Sequence, residues 1–457
     1  MFIESCHVYR TKSTEIVQRS SSMITNMEDA RLFIESKQGA GIVYTLDRMQ
    51  ALMTALDHPE KKIKAIHVAG TNGKGSTCAF LSSILQEAGY KVGAFNTPVF
   101  GDAKDQITIN QYPVSDEEFV LACREIEGAV SAVEYERKEM VSEFECFTAL
   151  TYYYFAFIQP IDVVLVEAGM GGRLDATNVL DEPVCTIITN VGLDHQRYLG
   201  DSIKSIAKEK AGIIKPKVPL FTASQGDALE QLVNVGIKKC ADVISLFDNV
   251  KFKTEKINNS EQLFTYDDSE VNQHYTIRLL GEHQTVNASL SLMVVHYLSK
   301  KIFPKIHEEH IQKGLMRAFI PGRWEVVQEH PTVIMDTAHN IEAIHTVCQL
   351  TRRKYTEQNV TVLFAAMKDK PVKEMLALLR QLNCPIVYTT FDSDRSMTKE
   401  DYKLLETKKL TEEMWIKDYK LGIEQWIKAA SDTDVLIITG SHQFISECRQ
   451  NIRKSSN

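Results

Sequence analysis

The 457-residue chain lacks an excess of basic side chains: 52 Lys and Arg stand against 60 Asp and Glu, a formal charge of −8. That balance removes the electrostatic case for general nucleic-acid binding, so any phosphate must be held by local charge. Long apolar runs are also missing. Stretches such as residues 163–166 fall far short of the roughly 18 residues that suggest a bilayer span, and a soluble protein without a membrane partner is expected. The nine cysteines are scattered, odd in number and without a CxxC pair. Neither a disulfide framework nor a structural zinc site fits them, which points to a reducing, cytoplasmic compartment. Internal repeats and low-complexity tracts are absent. Residues 1–22 carry Arg10, Lys12 and Arg19 but no apolar core, which excludes a secretory signal and reads as a disordered leader, or as an upstream start preceding Met23.

What is present is a composition able to bury a core, 44% apolar and 25% charged. Short β-rich runs at residues 64–68, 91–95, 162–167, 184–189 and 219–222 alternate with helical patterns at 76–88, 116–132, 143–157 and 202–210. That alternation predicts an α/β fold with a mostly parallel sheet covered on both faces. Residues 249–280 shift to charged, turn-interrupted alternation that suggests small antiparallel hairpins. Helices are expected at 286–298 and around 307–316, after which strand and helix alternate again from 332 to 449. The chain is expected to divide at Ile320-Pro321-Gly322, into a larger unit over 23–320 and a smaller α/β unit over 321–457.

The sharpest local signal is HVAGTNGKGST, His67 to Thr77, between an apolar strand and an amphipathic helix. Gly70, Gly73 and Gly75 let backbone N–H groups approach oxyanions, and the helix start adds its positive dipole end. Lys74 is a point charge for the outer phosphates, and Ser76 or Thr77 offers a hydroxyl to Mg²⁺. A glycine-rich turn alone is more often structural; strand, GKGS and helix together reverse that preference. One departure stands out: where a standard phosphate loop has glycine five residues before Gly73, this chain has Val68. Further polar groups follow successive strands or open and close helices: Glu145, Glu167, Asp194, His195 and Lys210. Singly, Glu145 reads as a helix N-terminal charge and Lys210 as a helix C-terminal cation. Their recurrence in one half of the chain does not look independent.

Together with VEAGMGGRLDATNV, TNVGLDHQRYLGDSIKSIAKEKAGI, LLGEHQTVNA, PGRWEVV, DTAHN and ITGS, the loop resembles the folylpolyglutamate synthase and dihydrofolate synthase group of the Mur ligase superfamily, in its Bacillus-type bacterial form. The resemblance implies a P-loop domain followed by a smaller Rossmann-like domain, with ATP between them. It implies an ATP-dependent ligase that joins L-glutamate to a folate or to dihydropteroate through an acyl phosphate, and usually a monomer. By position it implies nucleotide contacts from Gly70, Thr71, Asn72, Gly73, Lys74, Gly75, Ser76 and Thr77, adenine-side contacts from Gln284 and Asn287, and contacts from Arg323 and Asp336 of the second domain. It implies two Mg²⁺ sites, Ser76 with Glu145 at one and Thr97, Glu145 and His195 at the other. Lys210 matches a lysine that is carbamylated. His339 and Asn340 match a segment near the incoming amino acid, where His339 is the candidate base.

The departures from the family pattern lie on the acceptor side. The usual TSPH or TSPY followed by FNERI becomes NTPVFGDAKDQITIN, with Val99 for the ring residue, Ala103 for phenylalanine and Gln106 for arginine. Glutamine cannot replace a bidentate guanidinium. GSLYF becomes Gly440 to Phe444 with His442 and Gln443, and DGAHNP becomes DTAHNI. The expectation is therefore a folate-type ligase with a varied loop. The alternatives are a paralogue using another carboxylic acid, or an idle nucleotide binder.

Overall fold

The computed structural model describes residues 24–41, 45–97, 101–258, 260–355, 359–405, 411 and 414–455. The leader over 1–22, and Pro98 and Val99 of the varied loop, lie outside the described residues.

The first sheet contains β1 (Ala65–Ala69), β2 (Val92–Phe95), β3 (Ile107–Ile109), β4 (Tyr112–Pro113), β5 (Val163–Glu167), β6 (Cys185–Ile188), β7 (Leu220–Thr222) and β8 (Val243–Ser245). Their spatial order is β4-β3-β2-β5-β1-β6-β7-β8. The six strands from β2 to β8 in that order are parallel, while β3 and β4 form an antiparallel edge hairpin. The hairpin turns at Asn110 and Gln111, both at positive φ (50° and 67°), a tight turn that matches strand twist. The central strands are buried along their whole length because helices cover both faces. Side chains alternate accordingly: Ile66, Val68, Val163 and Leu165 join one core, Ala65, Val164 and Val166 the other.

One face is covered by α2 (Lys74–Glu87), α5 (Glu282–Lys301) and α6 (Glu308–Arg317), the other by α1 (Asp47–Ala55), the helix Asp116–Arg137 and α3 (Glu143–Tyr153). Beyond β6 lies α4 (Ile203–Lys210). A small antiparallel sheet, β9 (Lys251–Ile257), β10 (Gln262–Asp267) and β11 (Asn272–Ile277), turns Phe264, Tyr266, Tyr275 and Ile277 into the first core. The second α/β unit has the order β12-β13-β16-β14-β15, from Glu325–Gln328, Thr332–Asp336, Val435–Thr439, Val360–Phe364 and Ile386–Tyr388. Only β12 is antiparallel. Its strand β13 again alternates, Ile334 to one core and Val333 and Met335 to the other, with α7 (Ile341–Lys354) packed against the sheet. No helix among the described residues is long and apolar enough to cross a membrane.

Several elements differ from expectation for local reasons. The helix expected from residue 76 starts at Lys74, because Gly73 takes a left-handed conformation (φ 85°) that turns the chain into the first turn. The helix expected over 143–157 ends at Tyr153 and loosens into a π-turn over Tyr154–Ile158. α1 is not among the expected helices: Leu46 sits at its N-cap without a side-chain hydrogen bond, and Thr45 Oγ1 accepts from Asp47 N–H at 3.0 Å instead.

Candidate active site between the two domains

Parallel α/β sheets leave ligand sites at the carboxyl ends of their strands, and here the loops after β1, β5 and β6 meet. Gly70 (φ 154°) lies so close to the loop after β6 that an added Cβ would collide with Thr189 Oγ1. At Gly73 (φ 85°) it would collide with Asn287 Oδ1 at the start of α5. Backbone bonds pin the loop further. Thr71 N–H donates to Asn190 O at 3.0 Å, Asn72 N–H donates to Asn190 Oδ1 at 2.8 Å, and Thr189 Oγ1 donates to Asn72 O at 2.6 Å. Lys74 Nζ folds back to Gly70 O at 3.1 Å. Ser76 and Thr77 are buried in the first turn, and among the described residues Thr77 Oγ1 has no hydrogen-bond partner. Gln284 and Asn287 are buried together, Asn287 Nδ2 donating to Gln284 Oε1 at 3.1 Å.

The carboxylate beside this loop is Glu167 at the end of β5. It lies 3.9 Å from Lys74 Nζ, and its Oε2 would stand 3.7 Å from a Cβ on Gly75. Burial pushes its pKa up to about 7, against the pull of Lys74, Arg323 and the Thr97 backbone N–H that bonds it. Glu145 goes elsewhere. Its carboxylate accepts from Arg48 Nε and Nη2 at 3.2 and 2.8 Å, and from Ser142 N and Oγ at 2.8 and 2.7 Å. This is a buried ion pair to α1 combined with a capping box. Glu145, expected as a metal ligand, is thus held by Arg48, 97 residues away in sequence, while Glu167 is the acid beside the lysine of the phosphate loop.

His195 takes a left-handed conformation (φ 50°) and is half-exposed. Asp194 Oδ1 accepts its N–H at 2.8 Å, and Asp194 Oδ2 lies 3.8 Å from its Nε2. Burial lowers its pKa, with Lys370, Lys74 and Lys210 adding to the effect and Asp194 opposing it. Lys210 is buried at the end of α4. Burial first, and Lys74 second, bring its pKa down to about 7, so the amine is substantially neutral near neutral pH. Asp175, which sequence reasoning missed, also acts on both Glu167 and Lys210. Its carboxylate accepts from Met170 N–H at 2.8 Å and so shapes the glycine turn after β5.

The second domain supplies Asp336, whose oxygens accept from Trp324 N at 2.8 Å and Ala338 N at 2.9 Å. Burial raises its pKa. The Arg323 charge lowers the pKa of Glu167 and His283 in the first domain and of Asp336, His339 and His442 in the second. His339 Nδ1 lies 2.9 Å from Thr337 O. A carbonyl only accepts, so Nδ1 carries the proton and Nε2 the lone pair. Burial brings its pKa to about 4, leaving the ring neutral. Direct contacts span the cleft: Asn340 Nδ2 donates to Asn72 Oδ1 at 3.0 Å, Asn72 Nδ2 donates to Glu342 Oε2 at 2.6 Å, and Lys370 Nζ lies 3.2 Å from Asp194 Oδ1. Nothing in the spacing of Glu342 or Lys370 marked them beforehand. The described residues of the loop with Thr97 and Gln106 are tied by Asn96 N–H to Gln106 O at 3.0 Å and by an Asp102–Asp105 capping box.

A phosphate loop, a buried acid and lysine beside it, and a second α/β domain closing over them define a Mur-type ligase architecture. The Mur ligase middle domain matches residues 68–295, and the Mur ligase glutamate ligase domain matches residues 322–442. The chain is 38% identical to the dihydrofolate synthase/folylpolyglutamate synthase of Bacillus subtilis, over 94% of this chain and 100% of that protein. Its fold is similar to the apo form of L. casei folylpolyglutamate synthase (TM-score 0.82, 26% identity, 94% of this chain and 100% of that one). It is also similar to Mycobacterium tuberculosis folylpolyglutamate synthase complexed with ADP and AMPPCP (TM-score 0.79, 26% identity, 90% and 95%). The chain belongs to the dihydrofolate synthase/folylpolyglutamate synthase family.

Proposed function

We propose that this chain is an ATP-dependent ligase that adds L-glutamate to a folate, to dihydropteroate, or to both. The observation that carries the reading is the cleft itself, where Lys74 lies 3.9 Å from Glu167, Arg323 of the second domain acts on Glu167, and Asn340 and Glu342 reach the phosphate loop. Gly70, Thr71, Asn72, Gly73, Lys74, Gly75, Ser76 and Thr77 cradle the phosphates, Gln284 and Asn287 hold the adenine side, and Arg323 and Asp336 engage the nucleotide from above. The acceptor carboxylate attacks the γ-phosphorus in line, forming an acyl phosphate and releasing ADP. Lys74 and Arg323 neutralise charge on the transferring group. The glutamate amine then attacks the activated carbonyl, the amide forms and phosphate leaves. The attacking amine must be neutral, and the candidate base His339, which burial makes a weak proton acceptor, offers its Nε2 lone pair to the amine N–H. The cross-cleft contacts exclude water that would otherwise hydrolyse the acyl phosphate.

The donors fit Mg²⁺: hydroxyls of Ser76 and Thr97, the Glu167 carboxylate and the His195 imidazole. Among the described residues no three His, Cys, Asp or Glu gather as a metal cage, which suits an ion that keeps waters and takes phosphate oxygens as ligands. When bound, Mg²⁺ supplies charge neutralisation on the phosphates. Lys210, with its depressed pKa, suits carbamylation: the neutral amine adds to CO₂, forming an N–C bond and releasing a proton. The product is an anion where a cation stood.

The test is ADP release by the purified chain. Dihydropteroate or tetrahydrofolate with L-glutamate should raise release above the ATP-only blank. No rise with either overturns the folate reading, and release with another acid transfers it to the paralogue. In the same assay Lys210→Ala should depress turnover, with partial rescue by acetate or formate; unchanged turnover removes the carbamate.

A further inference from the structure

Lys370 reaches across the cleft from a stiff turn. Lys370 N–H donates to Met367 O at 3.2 Å and Lys370 O accepts from Val372 N at 2.8 Å. The turn is also tied to residue 395 by Lys368 N–H to Arg395 O at 2.9 Å, and Met367 bridges to Ser396. From this base Nζ lies 3.2 Å from Asp194 Oδ1, and the two side chains are only 13% and 14% exposed. The same Asp194 oxygen accepts the His195 N–H at 2.8 Å. One carboxylate thus joins a cation of the second domain to the backbone of a histidine in the first. Of the other contacts between the domains, Asn340 and Glu342 bond Asn72 of the phosphate loop, Glu342 also lies beside Gly192, and Arg353 pairs with Glu282 on α5 at 3.6 Å.

A carboxylate in this half-buried place is stable when paired and costly when stripped of its partner. Separating the domains removes that partner and leaves Asp194 with the local His195 N–H. The chemical step needs the reverse, since group transfer is sensitive to displacements of about 1 Å in the groups around the reacting atoms. We propose that Lys370 is a positioning residue: its ion pair with Asp194 forms on domain docking and sets the 190–195 loop, with His195, into its working place. Lys370 acts through Asp194, and among the described residues it shows no contact with the phosphate loop or the adenine side. The inference rests on the ligase reading for its kinetic arm and on the fold alone for its structural arm.

The experiment compares the full chain with Lys370→Met, Asp194→Asn, the double variant and Lys370→Arg. AMPPCP affinity, glutamate-dependent ADP release and hydrogen exchange of residues 190–195 with Mg²⁺ and AMPPCP are measured for each. Either neutral single variant should lower kcat by about ten-fold, leave the AMPPCP Kd within about two-fold, and raise exchange over 190–195. The double variant should be no worse than about two-fold beyond the worse single, because both remove one interaction. Lys370→Arg should recover most of the turnover. Single effects that multiply, or an AMPPCP affinity that falls as far as kcat, overturn the proposal, the latter making Lys370 a nucleotide contact. If Lys370→Met fails to fold, Asp194→Asn carries the same comparison. If the wild-type chain shows no glutamate-dependent release, the ligase reading fails, and the exchange arm still decides whether the ion pair orders the loop.

Discussion

Glu145 and Glu167 are both buried carboxylates of the first domain, one at a helix start and one at a strand end, and they have opposite surroundings. Glu145 has both oxygens spent, on the Arg48 guanidinium and on Ser142. Glu167 has a lysine at 3.9 Å, the Thr97 N–H and a pKa raised to about 7 by burial that its neighbours offset only in part. A fully satisfied buried charge holds the fold together. An under-satisfied one is a cost to the fold, sustained where a ligand can complete it.

The largest effect that sharpens this contrast is on stability. Glu145→Ala strands the buried Arg48 charge, and denaturant unfolding should register a loss of about 3–5 kcal/mol. An unfolding free energy within about 0.5 kcal/mol of wild type would break the comparison from the structural side. Glu167→Gln should do the reverse. Its midpoint of unfolding stays near or above the wild-type value, while turnover falls by about 100-fold. A stable Glu167→Gln protein with full turnover would show that the acid by the loop is dispensable.

The contrast also explains what could be read from residues alone. The alternation of buried strands and amphipathic helices was legible because both domains repeat one periodicity, and the phosphate loop was legible because its constraint is steric. Only glycine fits beside Thr189 and Asn287, so the pattern at Gly70 and Gly73 is written in residue types. The two glutamates were not separable in this way. Each is an acid beside an apolar run, and the deciding partner of Glu145 is Arg48 on a helix that is not among the expected ones. Lys370 was hidden for the same reason: its partner is 176 residues distant and nothing local prepares the pair. The varied loop is a third case: its described residues are tied by backbone bonds and by the Asp102–Asp105 capping box, which form between neighbours on the loop itself.

The smallest effect concerns buried histidines, the neutral counterpart of the two acids. His67, His283, His339 and His442 are all shifted down by burial, to about 3, 4, 4 and 3. Between those values and the ordinary histidine range, the unfolded chain binds protons that the folded chain refuses. Stability therefore rises with pH across this window and is lost as pH falls below about 6.5. For each such histidine the slope approaches about 1.4 kcal/mol per pH unit well below the unfolded pKa. Raised Glu167 opposes them, since its folded form holds a proton that the unfolded chain releases between 4.5 and about 7. Among these five groups the four histidines outweigh the one acid, and their joint slope is positive. His442→Leu removes one of the four, at a site where Arg323 and His339 already disfavour a further charge. Its unfolding free energy should therefore fall less steeply than wild type between pH 6.5 and 5 and run parallel to it above pH 7.5. Parallel curves throughout would mean that His442 takes up its proton in the folded chain, with burial and the neighbouring Arg323 charge failing to exclude it.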